Sequence, residues 1–176
     1  ICEIKILPYP TIVSMVGNRE ADLGLLMVPD GVALPPELRW RELARDTLDL
    51  IARKASGGAQ NLAAILAGGL PLLLFECDSR LLGLIQQCCK ALRITPPILF
   101  FQTVEDMMVN VELGEGIAIL PHRMAQHYQN RPVDCHSLSA CPLPALRYLA
   151  CWSQAKPAGQ GAELVRELWG DDPLEG

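Results

Sequence analysis

The stretch "TVEDMMVNVELGEGIAILP", Thr103 to Pro121, holds a helix start, a helix face, a helix stop and a strand in one run. Thr103, followed three residues on by Asp106, is a capping pattern: a hydroxyl accepts an N–H that the first helical turn leaves free. Val104, Met107, Met108 and Val111 recur at i, i+3, i+4 and i+7, one face of a helix. Gly114 suits the left-handed position just past a helix end. Ile117 to Leu120 is a short apolar run of the kind a parallel sheet buries on both faces. Pro121 has no N–H to give a ladder and closes the strand. Helix, tight turn and buried strand are half of a parallel βαβ unit.

Working outward, "PLLLFE" (71–76) and "ILFF" (98–101) read as two more buried strands. Between them "DSRLLGLIQQCCKAL" (78–92) places Leu81, Leu82, Ile85, Cys88, Cys89 and Leu92 along one helical face, and "TPP" stops it. Toward the start of the chain, "ICEIKI" (1–6) alternates and reads as a strand, and a short helix runs from about Thr11. "ADLGLLMV" (21–28) is a strand ended by "PDG", and "LRWRELARDTLDLIARK" (38–54) reads as two strands broken around Ala44 to Asp46. "NLAAILAGG" (61–69) is a short helix with glycine stops. A short polar helix follows Pro121, "RYLACW" (147–152) is a late strand, and "GAELVRELWG" (161–170) a last amphipathic helix. Strands alternating with helices predict an α/β fold. Joints near "KASGGAQ" and "NRPVD" predict two Rossmann-like lobes with a cleft between them: residues 1–54 with 132–176, and residues 55–131.

The chain has 176 residues, half of them hydrophobic and a fifth charged. Its positive mean hydropathy suggests subunit contacts as well as a core. A net charge of −5 argues against this segment gripping nucleic acid itself. Seven cysteines, an odd number with no C-x-x-C pair, point to a reducing cytoplasm rather than a disulfide framework. The longest apolar run, Leu62 to Phe75, is broken by Gly68, Gly69 and Pro71 and is too short to span a membrane. The opening residues include neither Met nor a signal peptide and read as part of a longer protein.

No G-x-S-x-G elbow and no P-loop occur, and His122, His127 and His136 lack metal-ligand spacing, so no catalytic set, metal or cofactor is expected. Cys77 precedes a helix start, where a thiolate is favoured, so a redox switch with Cys88 or Cys89 competes with the reading of these residues as small buried hydrophobes. Asp78 and Ser79 follow one apolar strand, Gln102 and Thr103 another. Helix N-termini placed after strands present free N–H groups to a ligand, a carboxylate above all. Simple capping is the competing reading at each.

"VGNREADLGLL", "ELARDTLDLIARKASG", "PLLLFECDSRLLGLIQQCCKAL" and "TVEDMMVNVELGEGIAILP", in that order and spacing, resemble the effector-binding domain of LysR-type transcriptional regulators. The resemblance implies a periplasmic-binding-protein-like pair of lobes that senses a small polar or anionic effector in the cytoplasm. It implies a homodimer or homotetramer that reaches DNA only through an N-terminal helix-turn-helix domain. This sequence departs from the pattern in three ways. The DNA-binding domain and its linker helix are absent from it, as are the first strand and helix of the first lobe. Arg19 stands where the family often has glycine before "DL". The expected effector contacts are Pro8, Tyr9, Pro10 and Thr11 from the first lobe, and Asp78, Ser79, Arg80, Phe101, Gln102 and Thr103 from the second. The alternative is a transport-type solute-binding protein of the same fold class. An enzyme on this scaffold finds no acid–base or nucleophile set to support it.

Overall fold

The structure is a computed structural model. It describes residues 3–5, 7–56, 61–75, 79–141, 143–155, 163, 166 and 167. The fold is α/β, with two sheets in two compact units: residues 1–45 with 146–176, and residues 46–145.

The second unit holds β3 (Leu48–Arg53), α2 (Leu62–Ala67), β4 (Leu72–Phe75), α3 (Ser79–Ala91), β5 (Ile98–Phe101), α4 (Val104–Leu113), β6 (Ile117–Pro121), α5 (His122–Ala125) and β7 (Val133–Ser137). Its sheet runs β5-β4-β6-β3-β7. β4 is parallel to β5 and to β6, with Leu72 opposite both Ile98 and Ile117, while β3 is antiparallel to β6 and β7. The stretch from Thr103 to Pro121 forms the helix, turn and strand its pattern predicts. The Thr103 hydroxyl accepts the Asp106 N–H, and α4 buries Met107, Met108 and Val111 against Leu73, Ala118 and Leu120. Each such side chain taken fully from water contributes about 1.5–3 kcal/mol.

The two glycines of that stretch serve different ends. Gly114 takes φ 84°, and its N–H and that of Glu115 turn back to Val111 and Asn110 to close the helix. The Arg53 guanidinium donates to the last helical carbonyl, Leu113 O, at 2.9 Å. Gly116 is needed for close approach, because a Cβ there would lie 2.6 Å from the Leu73 side chain and 2.7 Å from Pro71 O.

The same backbone closure ends two other helices with arginine in the glycine position. Arg93 (φ 57°) follows α3, with Ile94 N–H on Cys89 O. Arg19 (φ 64°) follows α1 (Tyr9–Gly17), with Glu20 N–H on Met15 O. The departure noted at Arg19 is thus an L-residue held in left-handed backbone.

The first unit holds α1, β1 (Gly24–Pro29), β2 (Leu38–Asp46, its last residue in the other unit) and β8 (Leu146–Ser153). The sheet order is β1-β8-β2, and β1 pairs antiparallel with β8 from Gly24–Cys151 to Pro29–Leu146. Val16, Leu26, Val28, Leu38, Leu149 and Cys151 form its core.

The structure corrects four expectations. Residues 3–5 of "ICEIKI" carry no strand and are exposed, because no described strand pairs with them; Ile1, Cys2 and Ile6 lie outside the described residues. β5, expected to be buried, is an edge strand with Ile98 37%, Leu99 49% and Phe100 61% exposed. An apolar run does not reveal whether both of its faces will be covered. Val133 and Asp134, the end of the expected joint "NRPVD", open strand β7, which runs on to Ser137. The units divide at 45/46 and 145/146 rather than near residues 54 and 131, because β3 and β7 hydrogen-bond into the larger sheet. On α3 the buried residues are Leu81, Leu84, Ile85 and Cys88, with Leu82 and Cys89 half-buried. Glu163, Arg166 and Glu167 are helical, and the rest of the expected last helix lies outside the described residues.

Candidate functional site

In the second unit, three parallel neighbours, β4, β5 and β6, end along one edge of the sheet at Phe75, Phe101 and Pro121. In open α/β sheets ligands bind outside the carboxyl ends of the strands. Glu76, Cys77 and Asp78 lie outside the described residues; α3 begins at Ser79, whose side chain is not described, and Arg80 is half-buried. Phe101 packs partly against the α4 core, and Gln102 and Thr103 are exposed. The edge therefore brings Arg80, Gln102 and Thr103 to helix starts that follow strand ends, as the sequence predicts.

Thr103 is already committed. Its Oγ1 accepts the Asp106 N–H at 3.1 Å and donates its own proton to Asp106 Oδ2 at 2.7 Å. Its hydroxyl can give a ligand no further hydrogen bond, and capping is its observed role. Glu105, also in the first turn of α4, accepts from Tyr128 Oη–H at 3.0 Å and from Arg131 Nη2 at 3.1 Å. Arg131 also donates to Glu112 at 3.0 Å and lies 5.0 Å from the centroid of the Tyr128 ring. This cluster fixes the start of α4 against the segment after α5. Burial first, and the Glu105 hydrogen bond second, push the Tyr128 hydroxyl pKa up.

The sequence reading missed a polar chain at the end of β6. His122 Nδ1 lies 2.8 Å from Asp49 Oδ2, and Gln126 Nε2 lies 2.9 Å from His122 Nε2. The ionised Asp49 carboxylate can only accept, so the ring presents an Nδ1–H to it and turns Nε2 toward the Gln126 amide. Asp49 is 3% exposed and its Oδ1 has no partner. Beside it Asp46 accepts from Thr47 N and Arg123 N, fixing the turn into α5. The signal available in the sequence was a lone acid inside the apolar run "LDLI", which only the pairing with β6 connects to His122.

In the first unit Tyr9 begins α1 half-buried against that unit's core, while Pro8, Pro10 and Thr11 are exposed. The described cysteines Cys88, Cys89, Cys135, Cys141 and Cys151 are free thiols. Burial, with smaller contributions from Cys89 and Cys141, pushes the Cys88 thiol up to about 12; burial pushes Cys151 up to about 11. Both behave as small hydrophobes; Cys77 lies outside the described residues. No group of His, Cys, Asp and Glu able to hold a metal occurs among the described residues, and no helix there is long and apolar enough to cross a membrane.

No curated protein matches the sequence. Solved structures similar to it include the LysR family transcriptional regulator CbnR, at TM-score 0.68 and 14% identity over 92% of this chain and 56% of that one. The apo regulatory domain of HypT from Salmonella typhimurium is similar at TM-score 0.73 and 12% identity, over 96% of this chain and 80% of that one. The effector binding domain of QuiR in complex with shikimate is similar at TM-score 0.65 and 17% identity, over 91% and 75%. At these identities the likeness shows the fold, and the chain spans a little over half of CbnR. The LysR substrate binding domain family model matches residues 2–171, nearly the whole sequence, and the chain belongs to that family.

Proposed function

We propose that this chain is the effector-sensing part of a cytoplasmic transcription regulator, binding a small polar or anionic metabolite and carrying out no catalytic step. The observation that carries the reading is the carboxyl edge of β4, β5 and β6, where the helices α3 and α4 start directly after strand ends. The free N–H groups of such starts favour a carboxylate or a polar oxygen. Glu105 and Asp106 in the first turn of α4 oppose an anion there, so the start of α3, with Ser79 and Arg80, is the stronger half. Shikimate, held by the QuiR effector domain, is a ligand of this class. Asp78, Phe101, Gln102 and Thr103 are proposed as further contacts, with Tyr9, Pro10 and Thr11 as the first unit's contribution. A solute-binding protein of a transport system is the less supported reading, given the family.

The experiment is calorimetry of the chain against a panel of small organic acids and polyols, with variants at each helix start. Losing one hydrogen bond to a charged or neutral group costs roughly 0.5–3 kcal/mol, so Ser79→Ala weakens a responding ligand by about three- to a hundredfold, whereas Thr103→Ala weakens it only by loosening the capped start of α4, since the Thr103 hydroxyl is spent on Asp106. Thr103→Ser, which keeps the cap, binds as the parent does. Unchanged affinity in both alanine variants places the effector elsewhere.

We also propose that the regulator works as a homodimer or homotetramer, meeting DNA through an N-terminal helix-turn-helix domain. The open apolar edge of β5 supports self-association.

A further inference from the structure

At the opposite end of the same sheet, where β4, β5 and β6 begin, the second unit contains a half-open pocket of ≈ 270 Å³. Its floor is pinned by backbone hydrogen bonds, Leu72 N–H to Pro97 O at 2.8 Å and Ile117 N–H to Pro71 O at 2.9 Å. Its walls are the end of α2, with Ile65 and Leu66, and the segment after α3, with Arg93, Ile94 and Thr95. Apart from Arg93 and Thr95 the lining is aliphatic, proline or glycine.

Arg93 is the one charged residue of the lining, and no described residue pairs with its guanidinium. Its surroundings are of one sign. Residues 61–75 carry no charge, and residues 79–104 carry Arg80, Lys90 and Arg93 with no acid. The nearest acid in sequence to the lining is Glu115, exposed, two residues before Ile117. The carbonyls that end α2 and α3 would repel an anion if left open, but Ile65 O, Cys88 O, Cys89 O and Lys90 O already accept backbone N–H groups. The left-handed backbone of Arg93 is shared by Arg19 and is not what marks this pocket. An exposed guanidinium with no partner among the described residues thus stands on a half-open pocket whose lining brings no acid.

We propose that this pocket is a second ligand site that takes a small monocarboxylate with an apolar body, the carboxylate on Arg93 and the body over Ile65, Ile94 and Ile117. At interior packing density of about 0.74 a small aromatic acid of ~110 Å³ needs ~150 Å³, so the pocket admits it with room left over. The proposal stands apart from the effector reading, because the two sites lie at opposite ends of β4.

The test uses the 176-residue chain with benzoate as probe and benzyl alcohol as its uncharged counterpart, read by methyl NMR. Saturable shifts of the Ile65, Ile94 and Ile117 methyls with benzoate, and far weaker ones with benzyl alcohol, are expected. Arg93→Gly removes the charge and relaxes the backbone, so it folds; it should raise the benzoate Kd at least ~tenfold, and Arg93→Lys less. Absence of shifts at these methyls, or a Kd unchanged by Arg93→Gly, overturns the assignment. Shifts confined to Val104 and the start of α4 also overturn it, and would instead mark benzoate as a ligand of the carboxyl-edge site.

Discussion

Arginine in left-handed backbone is the clearest cost at the level of single residues. Left-handed backbone costs an L-residue about 1–2 kcal/mol, and glycine returns part of any gain through the entropy of its unfolded chain, ~0.5–1 kcal/mol. Arg19 is exposed and has no described partner, so Arg19→Gly loses no contact. It should stabilise the chain by up to ~1 kcal/mol and raise its melting temperature by about 2–4 °C, measured by calorimetry. A lower melting temperature would show that the Arg19 side chain holds something. Cys88 offers a test of opposite character. Folded, its thiol keeps its proton up to about pH 12, against an ordinary value of 9. The native state therefore binds the proton that the unfolded chain releases. Its contribution is fully present below pH 9 and is lost as pH rises from about 9 toward 12. The urea midpoint should fall over that range, less steeply in Cys88→Ala; equal slopes would assign the loss to other groups.

Among the elements, the turn from α4 into β6 is where local backbone and packing meet. Gly114 closes the helix by its φ, and Gly116 admits the chain over Leu73 and Pro71 by having no side chain. A methyl added at Gly116 meets a backbone oxygen and the branch of a fully buried leucine, neither of which can swing aside. Gly116→Ala should cost about 1–3 kcal/mol in chemical denaturation, the usual range for overpacking. A cost below a few tenths would mean that β4 shifts to accommodate it. The start of α4 is held just as locally, by Thr103 on Asp106 and by Arg131 and Tyr128 on Glu105. That commitment explains why Thr103 reads at once as a cap and as a ligand contact, and why its hydroxyl serves the first.

For the molecule as a whole, the consequential feature is the bare edge of the five-stranded sheet. β5 presents an unpaired ladder and three exposed apolar side chains, with no charge, proline or bulge within it to discourage pairing. Val109 and Leu113 on the next helix are exposed as well. Leu99→Lys with Phe100→Lys should shift the chain toward monomer in sedimentation velocity while leaving its circular dichroism unchanged. An unaltered distribution would move the contact to another face.

The sequence by itself determined what its local physics encodes. Periodicity and stop residues marked α1 to α5, β1 to β6 and β8, and the ordered segments pointed to the LysR family that the match over residues 2–171 then showed. Local patterns suffice there because a helix face, a cap or a proline stop is settled within a few residues. Only the tertiary structure decided the rest. Whether "ILFF" is covered depends on which strand takes the edge. Whether "ICEIKI" pairs depends on a partner strand, and whether residues 48–53 belong to one unit or the other depends on a ladder with β6 and β7. Asp49 and His122 stand 73 residues apart and meet only because β3 lies antiparallel to β6. Each of these is a choice of neighbour between segments distant in sequence, and no spacing within a segment records it.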